Sequence, residues 1–459
     1  MTRCILSEPT EFITIFAMLP SMVWVASAFG YNRRAIFVPI NCTDACTFLF
    51  VADNLRGSMS KDNVPHIRLK NKEDRRIKSG HLWIYSNEVD VEKTPLHGFI
   101  AGSEVIIDDS SGRPIGRGYV NPQSLICCRI LSRDWRKGLD RSFLQSRLQC
   151  ALALREAAYS QPFYRAVYGD SDGMSGLVID RFGNYLVAQL NTAGMERLKP
   201  LLLEAMQTVF EPRAILFRND SPLREQEGLS LEVEEAVGEW PQTLQVLENE
   251  VSFTINSKDG QKTGWFYDHR ESRRELARWV RGKRVLDVFS YVGGWGLQAL
   301  AAGAESLTSV DASSAALDQL QANAEQQDVL DKVTCYEGNA FDVLQALLDQ
   351  NLRFDVVIVD PPAFIKRKKD FKKGLGAYNK LNTLALRLLE QNGLLVSASC
   401  SMHLPEATLQ DTVRATARHV DRHAQLVYRG NQGPDHPIHP AIPETQYLKA
   451  LFYRISPAL

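Results

Sequence analysis

The alternation of apolar and polar positions changes character along the chain and divides it into parts. Between residues 64 and 137, short apolar runs such as GSEVIIDD, IGRGYVN and SLICCRIL are separated by turn residues. Such alternation of strands and turns predicts a barrel or a twisted sheet. We therefore expect residues 64–137 to form a small β-rich domain.

Residues 140–255 mix helical and strand periodicities. A helix is expected over 142–159, and the next segment predicts a β-hairpin that turns at 182–184. A second helix over 195–210 is followed by apolar runs in AILFRND, LEVEEAVG and VSFTIN. Together they predict an α+β middle domain of β-β-α-β-β type. It carries no nucleophile or metal constellation, so a spacer or substrate-positioning role is expected.

Strands and helices alternate regularly from residue 256 to the end of the chain. Strands are expected at 284–289, 307–310, 333–336, 354–359 and 394–399, and helices at 295–302, 314–327, 341–350 and 378–391. Helices between successive strands specify a doubly wound, mostly parallel sheet, whose ligands bind beyond the carboxyl ends of the strands. The fold class predicted for residues 256–459 is therefore α/β.

The first 58 residues differ from the rest of the chain. Phe12 to Tyr31 is apolar, but Pro20 interrupts it and Glu8 and Glu11 precede it, which disfavours a membrane anchor or signal peptide. Met59 then opens a segment typical of the start of a soluble protein. We expect residues 1–58 to be an extension from an upstream start codon, poorly ordered or loosely packed, with no membrane partner.

Composition limits the classes of function. Lys and Arg number 53 against 54 Asp and Glu, so any surface that binds nucleic acid must be local. The 8 cysteines include no CxxC pair. Their spacing predicts reduced thiols in a cytoplasmic protein and no metal site.

Two segments concentrate positive charge. The first begins the β-rich domain, and the second follows the strand expected at 354–359 in FIKRKKDFKKG. Charge runs are commonly solvated surface, but basic side chains beside exposed aromatic residues also hold RNA phosphates. The candidate RNA-binding residues are Arg68, Lys70, Arg75, Arg76, Lys366 and Arg367.

A glycine-rich turn follows the first strand of the doubly wound sheet, in VLDVFSYVGGWG. Glycines at such a turn let a ligand approach the backbone closely. The next strand ends at Asp311, and an acid in that position can accept both ribose hydroxyls of a nucleoside cofactor. The turn departs from the GxGxxG fingerprint, which disfavours a dinucleotide.

The fourth and fifth strands end in Asp360-Pro361-Pro362 and in Cys400. A buried strand cysteine is commonly inert. Carbon 5 of cytosine, however, is a poor nucleophile, and its methylation requires a thiolate to add to carbon 6 while a neighbouring carboxyl group holds or protonates N3. Cys400 and Asp360 on adjacent strand ends would suit that reaction. The cytosine would have to leave its stack to reach them.

With these residues the chain resembles the bacterial 23S ribosomal RNA large-subunit cytosine-C5 methyltransferases, which join a PUA domain to a Rossmann-like class I methyltransferase domain. The resemblance covers Val64 to the C-terminus. Its most specific marks are QKTGWFYDHRESR, LDVFSYVGG, SVDAS, VIVDPPAF, SASCS and DHPIHPAIPETQYLK. It implies S-adenosyl-L-methionine as cofactor and 23S rRNA or a large-subunit assembly intermediate as partner.

The resemblance also implies roles for individual residues. Cys400 would be the nucleophile and Asp360 would contact the base. The implied cofactor-binding residues are Lys262, Thr263, Gly264, Asp268, Ser290, Tyr291, Gly293, Gly294, Asp311, Asn339, Asp360 and Pro361. Asn339 stands where the family usually has an acid near the adenine, and Ala363 replaces a basic residue of the family's DPPKF-like segment.

Two other functions stay open at this point. An exocyclic N-methyltransferase acting on rRNA guanine or adenine also uses an acid-Pro-Pro motif and needs no cysteine. An RNA-binding ribosome-assembly factor with a vestigial cofactor site would need no chemistry, although the turn, the acids and Cys400 are all present. Dimers through the N-terminal domains are compatible with the sequence, which carries no interface signature.

Overall fold

The computed structural model describes residues 64–256 and 263–458, together with three strands nearer the N-terminus. These strands are β1 (Thr14–Leu19), β2 (Met22–Ser27) and β3 (Ile36–Ile40). They form an antiparallel sheet in a unit of their own, separate from the unit Val64–Leu459. The rest of the predicted extension and Lys262 lie outside the described residues. Within the described residues, no helix has the length and apolarity needed to span a membrane.

The first domain of the larger unit is a five-stranded sheet in the order β4-β6-β7-β8-β5, as the β-like pattern predicts. Its inner side is filled by apolar residues such as Ile67, Val105, Val120 and Ile130. The elements are β4 (His66–Arg68), α1 (Asp74–Lys78), β5 (Trp83–Ile84), β6 (Ser103–Asp108), β7 (Pro114–Val120) and β8 (Cys128–Ser132).

The middle domain packs two helices on a sheet of order β13-β12-β11-β10-β9. The hairpin and both helices agree with the pattern, whereas β9 was not expected. The elements are α2 (Arg141–Ala158), β9 (Phe163–Tyr168), β10 (Leu177–Phe182), β11 (Tyr185–Leu190), α3 (Ala193–Phe210), β12 (Ala214–Asn219), α4 (Leu223–Gln226) and β13 (Glu232–Val237).

One predicted strand of the middle domain belongs elsewhere. The run VSFTIN forms β15 (Val251–Ile255), which pairs with the unexpected strand β14 (Leu244–Glu248) in a separate hairpin. Phe253 is buried in the same core as Val285 and Leu297 of the C-terminal domain. The assignment to the middle sheet was wrong because alternation shows which face of a strand is buried but not which partner covers it.

The first two domains meet at a glycine. A Cβ on Gly194, in the first turn of α3, would lie 2.0 Å from Cγ of Tyr119 on β7, so only glycine allows this contact. The buried Tyr119 hydroxyl donates to the carbonyl of Ser175 over 2.8 Å and lies 2.9 Å from the Thr192 hydroxyl. The β-rich domain is thereby fixed on the middle domain.

The C-terminal domain is a seven-stranded sheet in the order β18-β17-β16-β19-β20-β22-β21. Strands β16 to β20 are parallel, and β22 runs antiparallel to both its neighbours. The strands are β16 (Arg284–Val288), β17 (Ser306–Asp311), β18 (Val333–Glu337), β19 (Phe354–Val359), β20 (Leu389–Ser399), β21 (Arg422–Gly430) and β22 (Lys449–Pro457). The mostly parallel, doubly wound sheet matches the expectation from the sequence.

Helices cover both faces of this sheet, which explains why its central strands are apolar at nearly every position. Val285 and Val356 face one core, while Leu286 and Val357 face the other. The helices are α5 (Arg270–Leu276), α6 (Gly296–Ala301), α7 (Ser314–Gln326), α8 (Ala340–Asp349), α9 (Phe371–Leu388) and α10 (Glu406–His419).

The helix expected at 378–391 was wrong at both ends. Helix α9 begins at Phe371, and Gly374 in its first turn packs so closely on the preceding loop that a Cβ would lie 2.4 Å from Ile365. The helix ends at Leu388, since Leu389 already pairs with Phe354 in the sheet. The sequence did not show where the helix starts because a glycine lies near its beginning. It did not show where the helix ends because the pattern of leucines there is also typical of a helix.

Candidate functional site

A cavity of about 470 Å³ opens at the carboxyl ends of β16, β17, β19 and β20. The strand order reverses between β16 and β19, which is where doubly wound sheets bind their ligands. Apolar and ionisable side chains line it together, as is typical of small-molecule sites. The lining residues are Trp265, Phe266, Asp268, His269, Arg273, Phe289, Ser290, Tyr291, Gly294, Trp295, Asp311, Ala312, Asp360, Pro361, Pro362, Ala363 and Cys400.

The glycine-rich turn after β16 holds the carboxylate of Asp311. Phe289 and Tyr291 have positive φ angles of 67° and 50°, conformations that cost energy for residues with a Cβ. This geometry directs the Tyr291 N–H to Oδ2 of Asp311 over 2.9 Å, while the Ser313 N–H donates to Oδ1 over 3.0 Å. Two backbone donors therefore fix an acceptor group at the wall of the cavity, with lone pairs left for ribose hydroxyls.

Asp360 is held from two sides. The Trp295 indole N–H donates to its Oδ2 over 3.0 Å, and Nε2 of His269 lies 3.2 Å from its Oδ1. Burial opposes ionisation, but His269 and Trp295 keep the pKa of Asp360 below its usual value. Burial likewise opposes charge on His269, and the Asp360 carboxylate outweighs it and raises the pKa of His269. Each side chain therefore favours the charged form of the other inside the cavity wall.

Cys400 lies directly after β20, half-buried, with its Sγ 4.0 Å from the carbonyl oxygen of Pro361. The turn that carries it is fixed from below by the buried Lys449, whose Nζ donates to the carbonyls of Ser401 (2.7 Å) and Leu404 (2.8 Å). Burial lowers the pKa of Lys449 to about 8. The thiol and the Asp360 carboxyl group thus open into one cavity, on neighbouring strand ends.

A buried carboxylate forms the framework behind the cavity. Glu248, at the end of β14, accepts from Arg273 Nε over 2.6 Å and from the Trp265 indole over 2.9 Å. Gln298 on α6 adds another bond of 2.9 Å. Burial opposes ionisation here also, but the neighbouring arginines keep the pKa of Glu248 below its usual value. Two side chains of the cavity wall, Trp265 and Arg273, are therefore fixed by one carboxylate.

Several residues expected in the cofactor site lie outside the cavity lining. The Thr263 hydroxyl donates to Asp180 of β10 over 2.5 Å, which links it to the middle domain. Gly264 accepts from the Tyr291 hydroxyl through its carbonyl, and Gly293 packs against the side chains of Leu297 and Leu320. Asn339 is exposed and caps α8 by accepting from the Phe341 N–H over 2.9 Å. The other predicted residues that the structure describes line the cavity.

The basic residues expected to bind RNA differ in how they are used. Arg76 forms hydrogen bonds of 2.6 and 2.7 Å to the two carboxylate oxygens of Glu88, which makes it part of the fold of the first domain. Lys70 donates to the carbonyl of Asn87 over 2.8 Å. Arg75 and Lys366 are exposed, and Arg68 is half-buried. Arg367 is exposed and reaches Asp370 at 3.4 Å.

The sequence did not single out His269, Trp295, Trp265 or Arg273 as functional residues. All four lie within motifs quoted above, and three of them, Trp265, His269 and Trp295, are directly beside residues that were chosen. Their roles arise from contacts between segments far apart in the chain, such as Trp295 with Asp360. Adjacency to Asp268 and to the glycine-rich turn was the one signal that the sequence carried.

Comparison with known proteins identifies the family. Residues 67–133 match the PUA-like domain family, and residues 226–454 match the S-adenosylmethionine-dependent methyltransferase family. A ribosomal RNA large subunit methyltransferase I from Klebsiella pneumoniae (strain 342) is 34% identical over 406 residues, covering 86% of this chain and 100% of the relative. The chain belongs to the ribosomal RNA large subunit methyltransferase I family.

Other relatives agree with this assignment. The ribosomal RNA large subunit methyltransferase I of Escherichia coli (strain SMS-3-5 / SECEC) is 35% identical over 384 residues, covering 82% of this chain and 95% of the relative. A crystal structure of a protein described as a methyltransferase, complexed with SAH, shares the fold with a TM-score of 0.74 at 20% identity. It covers 85% of this chain and 100% of that one. The fold is therefore a PUA-like domain followed by a Rossmann-like methyltransferase.

The cofactor of this family's methyltransferase domain is S-adenosylmethionine, and the cavity fits it. The fixed Asp311 carboxylate suits ribose hydroxyls, and Phe289 and Ala312 give apolar walls. A Cβ on Gly294 would lie 3.5 Å from both Trp265 and Arg273, so a larger residue there would narrow the space. Asp311, Ser290, Tyr291 and Gly294 would hold the cofactor.

Proposed function

We propose that this enzyme methylates carbon 5 of a cytosine in 23S ribosomal RNA, with Cys400 as nucleophile and Asp360 as the residue that contacts the base. The observation that carries the proposal is the position of Cys400 and Asp360 at one cavity, joined by the contact between the Cys400 Sγ and the carbonyl of Pro361 at 4.0 Å. A cysteine has no role in methyl transfer to an exocyclic amine, so its place here favours carbon 5.

Cys400 and Asp360, at the two strand ends, have different roles in the reaction. The Cys400 thiolate adds to carbon 6 of the cytosine, and the electrons of the double bond move toward N3, which makes carbon 5 nucleophilic. S-adenosylmethionine, when bound, supplies the electrophilic methyl group. Asp360 holds the N3 side of the ring during the addition. A base then takes the proton from carbon 5, which restores the double bond and expels the thiolate.

The substrate must reach the cavity as a single flipped nucleotide, because neither Cys400 nor Asp360 could contact a stacked base. Exposed cations in the segment after Pro362, such as Lys366 and Lys369, are suited to bind the phosphates on either side of that nucleotide. The PUA-like domain would add a second contact to the RNA. Ribosomal RNA or a large-subunit assembly intermediate is the partner we infer, in the cytoplasm where ribosomes assemble, with a homodimer as a further hypothesis.

The test is methyl transfer from labelled S-adenosylmethionine to unmodified 23S rRNA, followed by nuclease digestion and nucleoside mass analysis. We expect 5-methylcytidine from the wild type and none from Cys400→Ala. The matched control is Cys335→Ala, which removes a half-buried thiol on β18 outside the cavity lining.

Other outcomes would contradict the proposal in distinct ways. A methylated guanine or adenine that survives Cys400→Ala would indicate an exocyclic N-methyltransferase. RNA binding without calorimetric binding of S-adenosylmethionine would indicate an assembly factor. RNA containing 5-fluorocytidine adds a second readout, because the fluorine blocks loss of the carbon 5 substituent and should leave Cys400 linked to RNA on a denaturing gel.

A further inference from the structure

His269 lies inside the wall of the active-site cavity and contacts the residue assigned to the base. The residue is 4% exposed, and its Nε2 is 3.2 Å from Oδ1 of Asp360. The imidazole ring packs against the Trp295 indole with ring centres 5.2 Å apart. Trp295 in turn donates to the second oxygen of Asp360. The carboxylate is thereby held by two neighbours. One of them, His269, can gain or lose a proton, whereas the Trp295 indole does not titrate.

The charges around His269 favour its protonated form. Asp360 and the adjacent Asp268 both stabilise the imidazolium, while Arg273 on α5 opposes it, as does burial. Asp268 is in turn bonded by the Tyr447 hydroxyl. Although burial opposes the charge, these neighbours raise the pKa of His269, which is the direction that an imidazolium paired with the Asp360 carboxylate requires.

Addition of a thiolate to carbon 6 places negative charge on N3 of the cytosine, and that charge requires a proton. An ionised Asp360 has none to give. Nε2 of His269 lies 3.2 Å from Asp360 Oδ1, so a protonated His269 is placed to supply that proton. A transfer from His269 to Asp360 and from Asp360 to N3 would supply it.

We propose that His269 is a positioning residue that stores the proton which Asp360 delivers to N3 of the cytosine, an inference that rests on the proposed carbon 5 chemistry. On addition, the S–C6 bond forms, N3 gains the proton and His269 becomes neutral. After methyl transfer, a water molecule takes the carbon 5 proton. The S–C6 bond then breaks as N3 returns its proton through Asp360 to His269, so the pair is restored.

The pH dependence of adduct formation distinguishes this role from a structural one. With 5-fluorocytidine RNA and S-adenosylmethionine, the wild-type rate should rise as Cys400 ionises and fall again as His269 loses its proton. His269→Gln keeps an N–H that can donate to Asp360 but does not titrate. We expect its rate to fall at least tenfold and the descending limb to disappear, with RNA and cofactor affinities within threefold of wild type. His419→Gln, on the exposed end of α10, is the matched control and should match wild type.

A second measurement uses the enzyme without substrate. Carbon-13 labelling of the imidazole rings gives the His269 titration by NMR, and Asp360→Asn should lower the His269 midpoint. A descending limb retained in His269→Gln, or a midpoint unmoved by Asp360→Asn, would overturn the proton-store role while leaving Cys400 chemistry intact. If Cys400→Ala still produces methylated RNA, the carbon 5 function fails and this inference fails with it.

Discussion

The Tyr447 hydroxyl donates a hydrogen bond of 2.6 Å to Oδ2 of Asp268, across 179 positions of sequence. Asp268 lines the active-site cavity, whereas Tyr447 lies two positions before β22 in the C-terminal DHPIHPAIPETQYLK segment. The contact brings two sequence motifs that are typical of the family together in one wall of the cavity. The C-terminal segment thereby supports a residue of the cavity wall that does not come from a strand end.

We expect Tyr447→Phe to weaken the binding of S-adenosylmethionine. The substitution removes one donor from a buried carboxylate, which costs about 1–3 kcal/mol and corresponds to a loss of affinity of roughly fivefold to a hundredfold. Isothermal titration calorimetry measures it. Tyr453→Phe is the control, since it removes a buried hydroxyl with no hydrogen-bond partner within the described residues. Equal affinities for the two variants would contradict the role given to Asp268.

The buried Asp287 should make stability depend on pH. Its Oδ2 accepts from the Gly296 N–H over 3.0 Å, and burial raises its pKa to about 7, against 3.8 for an ordinary Asp. Because the folded pKa is the higher, its stabilising contribution is complete below pH 3.8 and is lost as pH rises through 7, by up to about 1.4 kcal/mol per pH unit.

Asp287→Asn tests this dependence while keeping a carbonyl oxygen for Gly296. We expect the variant to be more stable than wild type at pH 8, with the difference shrinking as pH falls toward 4. Urea unfolding across this range provides the measurement. Asp331→Asn, at an exposed position, should show no such trend. A difference between variant and wild type that does not change with pH would refute the elevated pKa.

Loss of the charge on Glu248 should destabilise the whole cavity wall. Glu248→Gln leaves the buried Arg273 without its carboxylate, and breaking a buried ion pair in this way costs about 3–5 kcal/mol. We expect a lower midpoint of denaturant unfolding and weaker cofactor binding together. Asp411→Asn removes one partner of the exposed pair with Arg414 and should change stability by less than about 1 kcal/mol. Similar effects of both variants would show that Glu248 has no special structural role.

Neighbouring arginines of the PUA-like domain should respond differently to substitution. Arg76→Ala leaves Glu88 without its partner and should lower stability by about 1–3 kcal/mol. Arg75→Ala, at an exposed position, should leave stability unchanged and weaken RNA binding, with a smaller dependence of affinity on salt. Thermal unfolding and filter binding at two salt concentrations separate the effects. Normal RNA affinity in Arg75→Ala would exclude a phosphate contact there.

The edge of the sheet that carries the active site could be predicted because it follows from two rules alone. Apolar runs separated by helices specify parallel strands, and parallel strands end at the same edge. Asp311, Asp360 and Cys400 each end such a run, and the structure brings all three to one cavity. No knowledge of distant contacts was needed for that step.

Predictions of which segments of the chain contact each other were less successful. The run VSFTIN was correctly a strand but pairs with β14 rather than with the middle sheet. Thr263 lies in a motif of the cofactor domain, yet it bonds Asp180 of the middle domain. Arg75 and Arg76 are neighbouring arginines that the sequence does not distinguish. Only the position of Glu88 in the structure shows that Arg76 is a structural residue and Arg75 a surface charge.

The sequence by itself therefore determined the order of domains, the doubly wound sheet and the strand ends that carry Asp311, Asp360 and Cys400. Only the tertiary structure decided that His269 and Trp295 hold Asp360, that Tyr447 bonds Asp268, and that Glu248 fixes Trp265 and Arg273. The physical reason is that periodicity records which face of an element is buried. Hydrogen bonds and ion pairs between distant segments depend on distances that a local pattern does not contain.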